Sequence, residues 1–233
     1  MVLLAFDTAS NACSAAVWSE GKAVAHFSEE MERGQAERLA PMLHSIMDRA
    51  SLKFSQLDAL AVTVGPGSFT GIRAGLSMAK SLAVATGVPL HGVTTFALHK
   101  SKLSPAVWKR GPVMIVLETK RDDFYVQVYG LDQQIIGRPV SIASDTLGSY
   151  AADLVDSEAT ITVAGDGSKR ALTVLENIFG RRVHCVENPV PDARDLARLT
   201  EAGSKAGCPP SPPEPFYLRP PDVRRPKTSQ HIG

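Results

Sequence analysis

An α/β fold of two similar lobes is what this sequence predicts, and three observations predict it. First, one order of elements, β-β-β-α-β-α-β-α, can be read twice along the chain, starting near residue 2 and again near residue 112. Second, the 233 residues are 44% hydrophobic and 21% charged, enough to bury a core in each lobe. Third, periodicity stops at Gly207, where a proline-rich tail begins.

The elements follow in order. Residues 2–7 (VLLAFD), 13–18 (CSAAVW) and 23–28 (AVAHFS) are short apolar or alternating runs separated by the turn-forming TASN and SEGK. Leu39, Met42, Leu43, Ile46, Met47 and Ala50 then recur at helical spacing, giving a helix over about 37–50. Pro41 fits that helix only near its start or at a kink. Residues 59–64 (ALAVTV) read as a buried strand, 70–86 as a helix, 88–93 as a strand and 95–101 as a short helix. In the second repeat, strands are expected at 112–117, 124–130 and 134–142, a helix at 145–155, a strand at 160–164, a helix at 168–178, a strand at 182–186 and a helix at 192–206. A three-strand meander followed by crossovers builds a mixed sheet with helices on its faces. Two such lobes side by side are the plan of the actin-like, sugar kinase/Hsp70-type fold. The expected division is a lobe at 1–101, a linker at 102–111, a lobe at 112–206 and a tail at 207–233.

The formal net charge of +1 gives no global attraction to nucleic acid or membrane. The one dense basic cluster is Arg219, Arg224, Arg225 and Lys227 in the tail, read as a solvated segment or as a contact for RNA or an acidic partner. Cys13, Cys185 and Cys208 lack the spacing of a disulfide framework or zinc ribbon. No apolar run is long enough for a membrane helix, and the chain reads as cytoplasmic.

The most informative stretch is Val64–Ala83, VGPGSFTGIRAGLSMAKSLA. A phosphate-binding P-loop needs G-x-x-x-x-G-K-[ST]; here Gly65 and Gly71 are one position too far apart, and Ile72-Arg73 stand where Lys-Ser/Thr is required. The dinucleotide fingerprint G-x-G-x-x-G fails too, because Gly65, Gly67 and Gly71 give G-x-G-x-x-x-G with Pro66 between the first two. Ser68 or Thr70 can cap the following helix. Glycine within a helix costs on the order of 1 kcal/mol relative to alanine, so Gly75 calls for an offsetting close approach of another backbone. Close packing is favoured over an anion cradle. Asp7, at the end of the first strand, and Thr8 stand where an actin-like ATPase places a phosphate and Mg²⁺ loop, but no glycine follows the acid, which favours a simple turn cap. The matching run Glu118-Thr119-Lys120-Arg121 also lacks glycine. No HExxH, i,i+4 histidine pair or G-x-S-x-G occurs, which argues against metalloprotease and serine-hydrolase chemistry and predicts no metal site.

GPGSFTGIRAGLSMAKSLA, followed by GVPLHGVTTF, closely resembles the signature of the bacterial TsaB (YeaZ) family. FDTASNACSAAVW, LAPMLHSIM and PEPFYLRPPD resemble it as well, so the likeness spans the first lobe and the tail and is weak in the second lobe. The resemblance implies an actin-like fold and a role in making threonylcarbamoyladenosine next to the tRNA anticodon. It implies a non-catalytic scaffold that pairs with a TsaD-type catalytic subunit, is joined by a small TsaE-type ATPase, and meets tRNA only through the complex; alone, the chain is expected to form a homodimer, because an exposed apolar patch is stabilised by burial. No cofactor is expected in this chain itself; ATP or ADP with Mg²⁺ at a subunit interface is the alternative expectation. TsaD-type proteins carry a metal motif V-N-H-x-E-G-H; the corresponding run here is Val93 to His99, with Thr95 and Ala97 replacing a histidine and the glutamate. The chain also departs from the family at Gln35, where many members have histidine, and at Glu118–Tyr125.

The partner surface expected from this resemblance is two helices presenting Leu39, Met42, Leu43, Ile46, Met47, Ile72, Gly75, Leu76, Ala79 and Lys80, aimed by the signature loop Gly65, Pro66, Gly67, Ser68, Thr70, Gly71 and Arg73. Leucine at 75 is then expected to abolish pairing and spare the monomer. The rival reading is an actin-like ATPase or small-molecule kinase with Asp7 organising the metal.

Overall fold

The computed structural model describes residues 1–119, 121–156, 158–187, 190–211 and 213–219. The first sheet is built from β1 (Val2–Asp7), β2 (Ala12–Ser19), β3 (Lys22–Glu30), β4 (Ala59–Gly65) and β5 (Leu90–Thr94), in the order β3-β2-β1-β4-β5. β1, β2 and β3 are an antiparallel meander, while β4 and β5 run parallel to β1. The second sheet repeats this order as β8-β7-β6-β9-β10, from β6 (Val113–Glu118), β7 (Asp123–Tyr129), β8 (Ile135–Ala143), β9 (Ile161–Ala164) and β10 (Val183–Cys185). The duplicated β-β-β-α-β-α-β-α reading holds, and with it the two-lobe α/β architecture.

Strand alternation decides which helices cover which face. Leu4 and Phe6 of β1 point into a core shared with α1 (Gln35–Arg49) and α2 (Phe69–Thr86). Leu3 and Ala5 point the other way, into a cluster with Leu196 and Ala197 of α7 (Ala193–Lys205). The second sheet alternates likewise. Met114 and Val116 meet α5 (Leu147–Leu154) and α6 (Ser168–Phe179), whereas Val113, Ile115 and Leu117 meet α3 (Thr95–Ser101) and the short α4 (Pro105–Trp108).

Two expectations about organisation change. Helix α7, assigned by sequence order to the second lobe, packs on the first sheet. Trp18 Nε1 donates to Glu201 Oε2 at 3.1 Å, and the Ala193 amide donates to Ser14 Oγ at 3.0 Å. Residues 102–111 are no loose linker either, because Leu103, Val107 and Trp108 are buried against the second sheet. In both places apolar side chains, rather than chain order, set the boundary.

Local signals explain the ends of α2. Ser68 Oγ accepts from the Gly71 amide at 3.2 Å, so Ser68 rather than Thr70 is the cap. Gly87, at φ 73°, closes the helix in the left-handed region. Helix α1 starts before Pro41 by more than one turn; Pro41 sits on its exposed face, where water can meet the carbonyl it leaves unpaired. Cys13, Cys185 and Cys208 are free thiols, and no helix among the described residues is long and apolar enough to cross a membrane.

Candidate functional site

Among the described residues, the cleft between the lobes and the outer surface of α1 and α2 are candidates to bear function. The cleft begins at the β1–β2 turn. Asp7 is 4% exposed. Its carboxylate accepts from the Ala9 amide and Ser10 Oγ, both at 2.9 Å. Burial pushes its pKa upward, and these hydrogen bonds oppose the shift only in part. Asp7 is thus a turn cap.

The signature loop packs directly on this turn. The Ser68 amide donates to Ala9 O at 2.8 Å, and Thr8 Oγ1 donates to Gly71 O at 2.7 Å. A Cβ on Gly67 would lie 2.2 Å from Ala9 O, and one on Gly71 would lie 1.9 Å from Thr8 O. Gly65 has φ 105° and precedes a cis peptide to Pro66, whose carbonyl accepts from Thr95 Oγ1 at 2.7 Å. At a phosphate-binding helix N-terminus the free amides face the ligand. Here those of Ser68 and Gly71 already donate within the protein, and the space above the glycines is filled by backbone. Gly67 and Gly71 thus serve close packing on the β1–β2 turn.

The second lobe answers with a pattern the sequence reading missed. Gly-x-Gly-Ser stands at 65–68 and again at 165–168. Gly165 also has φ 105°, and a Cβ there would lie 2.2 Å from Val116 O of β6. Asp166 lies between the glycines, where its Oδ1 accepts from the Glu118 amide at 3.0 Å. Burial raises the Asp166 pKa. Glu118 is in turn clamped by Arg170, Nε to Oε1 at 3.0 Å and a terminal nitrogen to Oε2 at 2.7 Å. The repeated tetrapeptide was the signal for Asp166; it shows only when both repeats are aligned on their strands. Asp7, Glu118 and Asp166 all line the cleft, a cavity of about 260 Å³. Among the described residues no group of three His, Cys, Asp or Glu is placed to hold a metal ion.

The expected partner surface needs correction. Leu39, Met42, Leu43, Ile46, Met47, Ile72, Leu76 and Ala79 are each no more than 5% exposed and belong to the first lobe's own core. Gly75 is buried, and a Cβ there would lie 2.5 Å from Thr8 Oγ1 and 3.4 Å from Val62. The close approach it permits is to its own β1–β2 turn. The apolar stripes of α1 and α2 face their own sheet, and of these residues only Lys80 is exposed. Arg73 is exposed as well, lying over the Phe69 ring at 3.8 Å.

Outward, α1 and α2 enclose an open groove of about 450 Å³ whose walls include Ala40, His44, Phe54, Met78, Leu82 and Ala85. His44 stands edge-on to Phe54, ring centres 5.5 Å apart. Nearby on α2, Val84 is 87% exposed.

The family described as TsaD, tRNA N6-adenosine threonylcarbamoyltransferase, matches residues 27–166. The Escherichia coli tRNA threonylcarbamoyladenosine biosynthesis protein TsaB is 33% identical over 136 residues, 57% of each chain. YeaZ from Pseudomonas aeruginosa superposes with a TM-score of 0.72 at 27% identity, over 93% of this chain and 99% of that one. The chain belongs to the TsaB (YeaZ) family. The relatives from Escherichia coli and Haemophilus influenzae are named for tRNA threonylcarbamoyladenosine biosynthesis. A Bacteroides thetaiotaomicron protein with an actin-like ATPase fold superposes at a TM-score of 0.50 and 9% identity, over 86% of this chain and 95% of its own, which supports the shared fold alone.

In a TsaB chain the run Val93–His99 is of particular interest. It forms the end of β5 and the start of α3. Thr94 Oγ1 accepts from the Ala97 amide at 3.1 Å as the helix cap, and Thr95 is bound to Pro66. His99 is 3% exposed, and burial holds its pKa down to about 4. These residues serve packing and capping.

Proposed function

We propose that this chain is a non-catalytic scaffold in threonylcarbamoyladenosine synthesis on tRNA, docking and supporting a TsaD-type catalytic subunit. The observation that carries this reading is the state of Val93–His99. Thr95 and Ala97 stand where the TsaD-type metal motif has a histidine and a glutamate, Thr95 is bound to Pro66, and His99 is buried and neutral. Only the last histidine of that motif persists here, and one imidazole is poorly suited to hold a catalytic metal.

The proposed docking face is the outer groove of α1 and α2, bordered by Ala85, with Val84 and Lys80 on the outward side of α2. An exposed apolar groove is stabilised by covering it. The same face would serve a homodimer when the catalytic subunit is absent. A TsaE-type ATPase joins the assembly, and tRNA is met only through it. Any ATP or ADP with Mg²⁺ lies at a subunit interface. No observation favours the rival kinase reading, since Asp7 is occupied as a turn cap.

Reconstitution tests the proposal. With the other components supplied, tRNA modification should depend on this chain, and the chain alone should not turn over ATP and should bind Mg-ATP weakly or not at all in calorimetry. ATP turnover by the isolated chain, lost in Asp7→Asn, would overturn the scaffold reading.

A further inference from the structure

We propose that residues 213–219, with Ser211, form a strap that ties the two lobes together across the cleft and sets how far it opens. The segment starts on the first lobe, where the Gly92 amide of the edge strand β5 donates to Ser211 O at 3.1 Å. It then enters the cleft. The Phe216 amide donates to Val64 O at 2.8 Å, at the end of β4. Phe216 O lies 2.9 Å from where a Cβ on Gly65 would stand, so that glycine is required for the strap to seat. The Phe216 side chain packs against the first-lobe core and also against the cluster that carries Trp108, Ile115 and Tyr129.

The next residues complete the crossing. Tyr217 lies on Phe69, ring centres 5.0 Å apart, and its hydroxyl accepts from Arg73 Nε at 3.2 Å. Leu218 joins the second-lobe cluster, and Arg219 pairs with Asp123 at the start of β7. Tyr217 is thus held to the first lobe and Leu218 and Arg219 to the second, within three consecutive residues. Phe216, Tyr217, Leu218 and Arg219 also line the cleft, so the chain's own segment forms one wall of the cavity that a ligand would enter. Prolines at 209, 210, 213 and 215 stiffen the approach and lower the entropy lost on seating it. The strap is a device of the fold, independent of the docking proposal.

Interlobe distance is the readout that a purely local packing role would not move. Spin labels on Glu37→Cys and Glu176→Cys, one exposed position per lobe, would be placed in the full chain with Cys185→Ser and Cys208→Ser. The parent should give one narrow distance distribution. Arg219→Ala should broaden it toward longer distances, Phe216→Ala should broaden it further, and Arg219→Lys should restore the parent distribution. If Phe216→Ala fails to fold, Arg219→Ala decides the matter, because its side chain is one-quarter exposed and outside the core. An unchanged distribution in Arg219→Ala and in folded Phe216→Ala overturns the strap, as does a parent distribution that is already broad.

Discussion

Gly71 has a Cβ position 1.9 Å from Thr8 O, a backbone atom that a rotamer change cannot move. Gly71→Ala is therefore expected to lower stability by about 2–3 kcal/mol through forced backbone displacement, read as a lower urea midpoint. Gly75 belongs to the same contact, so leucine there damages the lobe itself and does not report on partner binding. His99 gives a pH prediction. Folded, it binds a proton only below about 4, with Asp195 and Lys102 as its charged neighbours; unfolded, it does so below about 6.5. The unfolded chain binds more protons between those values, so stability falls as pH drops from 6.5 toward 4, by about 2 kcal/mol at pH 5. Asp7, raised by burial, acts with the opposite sign, costing stability as pH rises past 3.8. Comparing midpoints at pH 7 and pH 5 in the parent and in His99→Gln isolates the histidine; an equal pH difference in both excludes it as the source. These residue roles were only partly legible. The glycine spacing ruled out a P-loop, but the partner of those glycines is a turn some sixty positions upstream, and no local pattern encodes that.

At the scale of elements, helix α2 shows what periodicity can and cannot say. Its small and apolar residues predicted close packing, and it packs closely. Periodicity gives the face that is buried without giving what buries it, and the own sheet has the first claim on that face. The outward residues at the groove were overlooked because alanine, histidine and methionine scattered over two helices form no stripe. They supply the docking test. Val84→Glu with Ala85→Glu changes two exposed positions, so the urea midpoint should stay within about 0.5 kcal/mol of the parent. Affinity for the catalytic subunit should fall at least tenfold, about 1.4 kcal/mol. Co-purification at parental levels would move the docking face elsewhere.

Across the whole molecule, the duplicated order of elements was readable because strand and helix periods are local. The exchange of α7 between lobes was not, since its sequence says only that one face is apolar. That exchange makes a prediction for fragments. A chain ending at Gly111 leaves Leu3, Ala5, Ala59 and Ala61 without the cover of Leu196 and Ala197, so it should bind a hydrophobic dye and unfold without a cooperative transition. A sharp transition without dye binding would show that α7 is dispensable to the first lobe. The order of synthesis gives this arrangement another consequence. On the ribosome, β1 emerges well before α7, yet its α7-side face is closed by that helix, which begins at residue 193. At typical rates of synthesis that interval is roughly 10–40 s. For that time the newborn sheet is a half-finished layer with one apolar side open, and the cell's chaperones are the cover available to it.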